Sequence, residues 1–202
     1  MRKTKEEAAI TREKVLDAAL TVFSRKGYAA STLDDVAQEA NMTRGAIYWH
    51  FRGKAELLLA LAEERFARAY AGFAEILEQP GTPLETLRRL MRWSLEYVED
   101  DPQYRAVLEL TLFKLEATPE LEEGMRQKVQ NMTLLVQQFQ NLIQSAVEAG
   151  EVRADVDPYT AALGTVAFTN GLISLWLLNP AGFSIKAQAP QAVELFLHGL
   201  KP

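Results

Sequence analysis

Residues 41 to 51 read NMTRGAIYWHF, so Arg44 and Gly45 are followed by four consecutive rings, Tyr48, Trp49, His50 and Phe51. Guanidinium, phenol, indole and imidazole groups can hydrogen-bond phosphates and base edges or stack on an apolar surface. Four adjacent side chains cannot all enter one core. At about 100° per residue, a helix here sets Gly45, Tyr48 and Trp49 on one face with Arg44 at its edge. Ala46, Ile47 and His50 fall largely on the other side, and Phe51 turns inwards at the end. Half of the cluster is then core and half is a surface offered to something outside.

Other chemistry is sparsely represented. The chain of 202 residues has no cysteine and two histidines, His50 and His198. That removes disulfides, thiolate metal sites and cysteine nucleophiles, and gives His50 no second metal ligand nearby. There is no glycine-rich phosphate loop and no Ser/His/Asp set, so an enzyme is not expected, and neither is a cofactor. The net charge of −5 argues against a nucleic-acid partner until its distribution is considered. Residues 1–55 hold ten basic against seven acidic side chains, and the remainder twelve against twenty. A basic head on an acidic body suits a chain of which one part meets an anion.

Apolar spacing is helical throughout, with no strand-like alternation, and predicts an all-α chain of nine helices. Val15, Ala19, Val22 and Phe23 form a stripe closed by Gly27. Leu33, Val36, Ala37 and Ala40 form the next, opened by Thr32 as N-cap with Asp35 three residues on. A third helix spans about 43–51, after a turn so short that the pair must cross sharply as a helix-turn-helix. Such a turn needs one residue at positive φ, and Asn41 stands there. A long helix follows Arg52-Gly53-Lys54. Thr82-Pro83, Thr118-Pro119 and Asp157-Pro158 each put a capping side chain before a proline, opening helices of about 83–99, 119–148 and 158–178. Shorter helices fill about 102–116 and 188–200. The helix at 83–99 is apolar on two faces, through Leu84, Leu87, Met91, Leu95 and Val98 on one and Leu90, Trp93 and Tyr97 on the other, as an inner helix would be.

Residues 159–178 carry no charge over about the length that crosses a bilayer. Threonines, Asn170 and Ser174 dilute the run, and no basic cluster flanks it, so a helix buried in a core or subunit interface is expected in place of a membrane span. The charged start MRKTKEEAAI has no apolar signal core, which reads as cytoplasmic.

The stretch STLDDVAQEANMTRGAIYWHFRGKAEL, residues 31–57, resembles the DNA-binding region of TetR-family transcriptional repressors. TRGAIYWHF, RKTKEEA and TREKVLDAALTVFSRKGY are similar to the branch controlling multidrug efflux pumps, and Asn41 departs from the glycine usual in relatives. The resemblance implies a DNA-binding domain over 1–53 and a ligand-binding and dimerisation domain over 54–202. It implies DNA contacts by Thr32, Thr43, Arg44, Gly45, Tyr48, Trp49, His50 and Lys54, chiefly to phosphates, with Arg44 and Gly45 nearest the bases. Thr32 and Lys54 also stand at helix starts, whose N–H groups attract phosphate. A homodimer built on the last two long helices would read an inverted repeat. A hydrophobic or aromatic small-molecule inducer would enter a cavity whose candidate walls are Met91, Trp93, Leu108, Leu112, Phe113, Met132, Val136, Phe168, Asn170 and Trp176. Of these, Phe113 in LFKLE and Asn170 in TNGL match family positions that reach ligand. Asn170 would then be the main polar group inside apolar walls. The competing reading is a helical adaptor that uses Tyr48 and Trp49 to grip another protein. DNA binding that falls steeply with salt would separate the two.

Overall fold

The computed structural model describes residues 5–115 and 118–202. Among the described residues there are nine α-helices, one 3-10 turn and no strand. They are α1 (Lys5–Lys26), α2 (Leu33–Glu39), α3 (Arg44–His50), α4 (Lys54–Glu78), α5 (Pro83–Asp100), α6 (Pro102–Phe113), α7 (Glu122–Glu148), α8 (Pro158–Leu178) and α9 (Ile185–His198), with the turn at Pro119–Leu121. The number and order agree with the sequence reading. The expected end of the sixth helix at 116, and the segment at 2–4 that carries part of the resemblance, lie outside the described residues.

The chain forms two compact units, Met1–Arg68 with Gln103–Gly124, and Ala69–Pro102 with Met125–Pro202. The first has its core where α1, α2 and α3 bury Val15, Leu16, Val22, Phe23, Val36 and Ile47 together with Leu57, Leu58 and Leu61 of α4. Val107 and Leu110 of α6 and Leu121 of the 3-10 turn join the same core. Gly27 ends α1 at φ 77° while its N–H donates to the Phe23 carbonyl at 2.9 Å, a left-handed stop that a Cβ would strain. This first unit therefore takes in α6 and the start of α4 as well as the residues 1–53 assigned to DNA binding from sequence.

In the second unit α5 packs against α8 and α9. Leu84, Leu87, Leu90, Met91, Leu95 and Val98 of α5 are buried, whereas Trp93 and Tyr97 of its second stripe are half-buried and stack with centroids 4.7 Å apart. Gly72 lies against that stack: a Cβ there would come within 2.6 Å of the Trp93 ring, so α4 approaches α5 through a bare backbone. Helix α8 is long and apolar enough by composition to cross a membrane. One stripe of it, including Ala162, Thr165, Val166, Thr169, Ile173 and Trp176, is buried, and Thr165 and Thr169 satisfy their hydroxyls on carbonyls one turn earlier at 2.9 Å each. Leu163, Leu175 and Leu178 face outwards.

The proline starts divide. Thr82 and Asp157 cap as expected, accepting from Glu85 and Thr160 N–H at 3.3 and 2.8 Å. Thr118 does not: its hydroxyl is buried without a partner, and the Leu121 N–H donates to the Thr118 carbonyl at 3.0 Å to open a 3-10 turn. The α-helix itself starts three residues later than the sequence indicated.

Candidate nucleic-acid interface

The site is built by two seven-residue helices and the turn between them. Thr32 caps α2 through a capping box, its hydroxyl oxygen accepting from Asp35 N–H at 3.1 Å and its own N–H donating to Asp35 Oδ2 at 2.9 Å. Lys26 Nζ lies 2.6 Å from Asp35 Oδ1. That hydrogen bond, and then those from Thr32, hold the Asp35 carboxyl below the usual range. At the other end Asn41 takes φ 55°. Its N–H donates to Gln38 at 3.1 Å, and Met42 N–H donates to Ala37 at 2.8 Å. The two bonds make a Schellman stop, which frees α3 to start at once under the Thr43 cap.

Helix α3 is anchored by one face only. Ile47 is fully buried and Phe51, just past its end, is 2% exposed, whereas Tyr48 is 44% and Trp49 72% exposed. His50 is half-buried and meets the Trp49 ring edge-on at 4.7 Å. Gly45 is exposed, and a Cβ there would meet nothing within 4 Å. Neither packing nor backbone strain requires glycine at that position, which leaves room for an outside group to approach. Arg44 reaches both neighbours: Nη1 donates to Asp34 Oδ2 at 3.2 Å, Nε lies 3.2 Å from Asp34 Oδ1, and Nη2 donates to Tyr48 Oη at 3.1 Å. Its guanidinium sits 5.3 Å from the Tyr48 ring centre. The Tyr48 hydroxyl, and then the Asp34 charge, raise the Arg44 pKa further.

Lys54 has a different occupation from the one the resemblance implies. Its ammonium donates to the carbonyls of Tyr28, Ser31 and Ala29 at 2.7, 2.9 and 3.3 Å and lies 4.3 Å from the Tyr28 ring centre. Three donors on three carbonyls tie the α1–α2 loop to the start of α4. The side chain is committed inside the unit. A cleft of about 530 Å³ opens among these groups, lined by Thr32, Asp34, Arg44, Tyr48, Lys54 and Glu120 with their neighbours. Asp34 and Glu120 were not singled out from sequence. Asp34 stands ten residues before Arg44, a separation no single-helix periodicity marks, and only the crossing of α2 and α3 pairs them.

The residues expected to line an inducer cavity have unlike surroundings. Met91 and Val136 are buried, Leu108 is half-buried, and Phe168 is half-buried against Phe196 at 5.0 Å. Trp176 is buried with its N–H donating to the Phe183 carbonyl at 3.0 Å, a core role. Trp93 belongs to the Tyr97 stack. Leu112, Phe113 and Met132 are exposed. Asn170 is exposed too, contrary to the expectation of an amide inside apolar walls, because it falls off the buried stripe that runs through Thr165, Thr169 and Ile173. Among the described residues there is no cluster of three or more metal-ligating side chains.

A recognition helix held by its neighbours and showing Arg, Gly, Tyr and Trp outwards is the arrangement that enters a major groove. Comparison with known proteins agrees. Residues 15–61 match the model of the tetR family of bacterial regulatory proteins, and residues 82–202 match that of the MAATS-type transcriptional repressor C-terminal region. The chain is 32% identical to the HTH-type transcriptional regulator AcrR of Shigella flexneri, over 97% of this chain and 92% of that protein. The crystal structure of NalD, the secondary repressor of the MexAB-OprM multidrug efflux pump in Pseudomonas aeruginosa, superposes with a TM-score of 0.84 at 26% identity, covering 98% of each chain. SmeT in complex with triclosan does so at 0.78 and 28%, covering 96% of this chain and 92% of SmeT. With half of its length under a regulator C-terminal model and its helix-turn-helix under another, the chain belongs to the TetR family of bacterial transcriptional regulators.

Proposed function

We propose that the chain is a ligand-released repressor of an efflux-pump operon, acting in the cytoplasm as a homodimer on an inverted-repeat operator. The observation that carries the reading is the outward face of α3, where Arg44, Gly45, Tyr48 and Trp49 are exposed while Ile47 and Phe51 fix the helix from behind. Arg44 and Gly45 meet base edges, and Thr32, Thr43, Tyr48, Trp49 and His50 meet phosphate and sugar. Lys54 supports this surface from below, and residues 1–53 are the DNA-binding segment. The exposed leucines of α8 and α9, Leu163, Leu175, Leu178 and Leu195, supply an apolar face for a second copy, which sets two recognition helices about 34–36 Å apart.

The family, the NalD likeness and the triclosan complex of SmeT support an apolar aromatic inducer that binds within residues 54–202 and shifts the dimer to a form whose recognition helices no longer match successive grooves. Exposed Leu112 and Phe113 in the first unit, or Met132 and Asn170 in the second, are accessible candidates for first contact, and adaptable Met and aromatic side chains suit several ligands. The test is a duplex enriched by the protein from a randomised pool, titrated with wild type, Arg44→Ala and Tyr48→Ala, with and without triclosan. Loss of binding in both variants at unchanged melting temperature, and release of wild type by triclosan, are expected. Equal binding by Arg44→Ala at physiological salt overturns the DNA assignment. An operator affinity indifferent to triclosan and to related apolar aromatics overturns the inducer.

A further inference from the structure

Arg44 is not free in the isolated protein. Both of its terminal nitrogens are engaged, Nη1 by the Asp34 carboxylate and Nη2 by the Tyr48 hydroxyl. The Asp34 and Arg44 side chains are 62% and 61% exposed, so solvent screens the pair and it adds little to stability. Its consequence lies outside the fold. Asp34 stands on the first turn of α2, in the cleft that also holds Thr32 and Tyr48, where a DNA strand lies if α3 enters the groove.

We propose that Asp34 is a specificity-setting residue, which holds Arg44 away from phosphates so that a correctly placed guanine edge, and not DNA charge alone, releases it. The inference rests on the DNA-binding reading. Non-specific DNA offers Arg44 phosphate oxygens but no guanine edge in register, and Asp34 both competes for the guanidinium and repels those phosphates. A guanine offers two coplanar acceptors, O6 and N7, which a guanidinium meets with two parallel hydrogen bonds. The carboxylate therefore weakens every complex but weakens the wrong ones more, and the ratio of specific to non-specific affinity rises.

Asp34→Asn keeps the shape and removes the charge, and Asp34→Glu keeps the charge. Each is titrated with two duplexes over a range of salt: one enriched by wild type from a randomised pool, and one of scrambled sequence. For Asp34→Asn the scrambled duplex is expected to bind about tenfold more tightly at low salt, as one further charge-assisted contact per subunit allows. Its salt slope should steepen by about 0.9 per subunit as Arg44 takes a phosphate. The enriched duplex should gain less than about threefold, so the specificity ratio falls, while Asp34→Glu stays near wild type. Equal gains on both duplexes, no gain on either, or a loss on the enriched duplex each overturn the proposal. The last would mean that Asp34 itself accepts from a base or orients Arg44 productively. Failure of wild type to enrich any sequence would instead remove the DNA-binding reading, and this inference with it.

Discussion

Arg65 Nη2 on α4 donates to Asp17 Oδ1 on α1 at 2.8 Å across 48 residues of sequence, and its Nη1 lies 2.8 Å from Glu13 Oε1. The guanidinium is 1% exposed, whereas Glu13 and Asp17 are 39% and 50% exposed. Gln103 on α6 donates to the same Asp17 oxygen at 2.9 Å, so three helices of the first unit meet on one buried cation. A buried charge stripped of its partners costs more than the same site made apolar. The double change Glu13→Gln with Asp17→Asn should therefore lower stability by about 2–4 kcal/mol, and Arg65→Met by clearly less. Urea denaturation of both proteins decides. A larger loss for Arg65→Met would show that packing of the Arg65 stem, and not compensation of its charge, holds the helices.

Gly45 supports a prediction of opposite signs. With open space at its Cβ and no positive φ, Gly45→Ala relieves the helix of glycine's entropic cost and should stabilise the protein by up to about 1 kcal/mol. In the proposed complex the same methyl stands where DNA backbone or a base edge approaches, so operator affinity should fall. A melting curve and a titration on one preparation check both. Unchanged affinity would mean that nothing comes close to α3 at this point.

For Lys54 the structure separates two readings that the family resemblance merges. Lys54→Ala leaves three carbonyls without their donor and removes the cation from the Tyr28 ring, so the unfolding free energy should drop by about 1–3 kcal/mol. A pure phosphate contact would lose DNA affinity at constant stability. Differential scanning calorimetry distinguishes them without DNA.

How much of this was visible beforehand follows from distance along the chain. The capping box of Thr32 and Asp35 and the left-handed turn at Asn41 involve neighbours within a few residues, where side-chain chemistry alone dictates the conformation. The inward Ile47 and Phe51 and outward Tyr48 and Trp49 follow from one helical period. Lys54 on Tyr28, Arg65 on Asp17 and Arg44 on Asp34 do not, because each needs two separate elements already packed in a particular arrangement. Thr118 shows the opposite limit. Its local signal matched that of Thr82, yet Leu121 enters the core and turns the start into a 3-10 turn with the hydroxyl inside.

Acid should reach the support of the recognition helix only below the ordinary carboxylate range. The Lys26 hydrogen bond and then the Thr32 bonds lower the Asp35 pKa in the folded state, so this group's contribution is complete above the unfolded carboxylate value of about 3.9 and is lost as pH falls through the folded value below it. Asp35→Asn should be less stable than wild type at neutral pH and should lose less on acidification. Urea midpoints between pH 2 and pH 6 measure the difference (a range set by the carboxylate values, about 3.9 and below). Parallel acid limbs for the two proteins would mean that the capping box adds nothing to stability.

The exposed leucines set the last test. Leu178 and Leu195 are 71% and 72% exposed on α8 and α9, with Leu175 at 58%, so their side chains contribute little to the single chain's core. Monomeric surfaces rarely carry large contiguous apolar patches, and a stable dimer interface covers about 1,200 Å² or more in total. Replacing Leu178 and Leu195 together by Glu puts four charges into a two-fold interface, since each position occurs once per subunit. Wild type should sediment at micromolar concentration with twice the 22.6 kDa chain mass, and the double variant with the chain mass itself. Its helix content should be unchanged, because what it loses is the contact between copies. Operator affinity should fall although α3 is untouched, as two linked recognition helices bind with an avidity of roughly 10²–10⁴ over one. A wild type that sediments as a monomer would overturn the homodimer, and a double variant that stays dimeric would place the subunit contact elsewhere and leave these leucines to another partner.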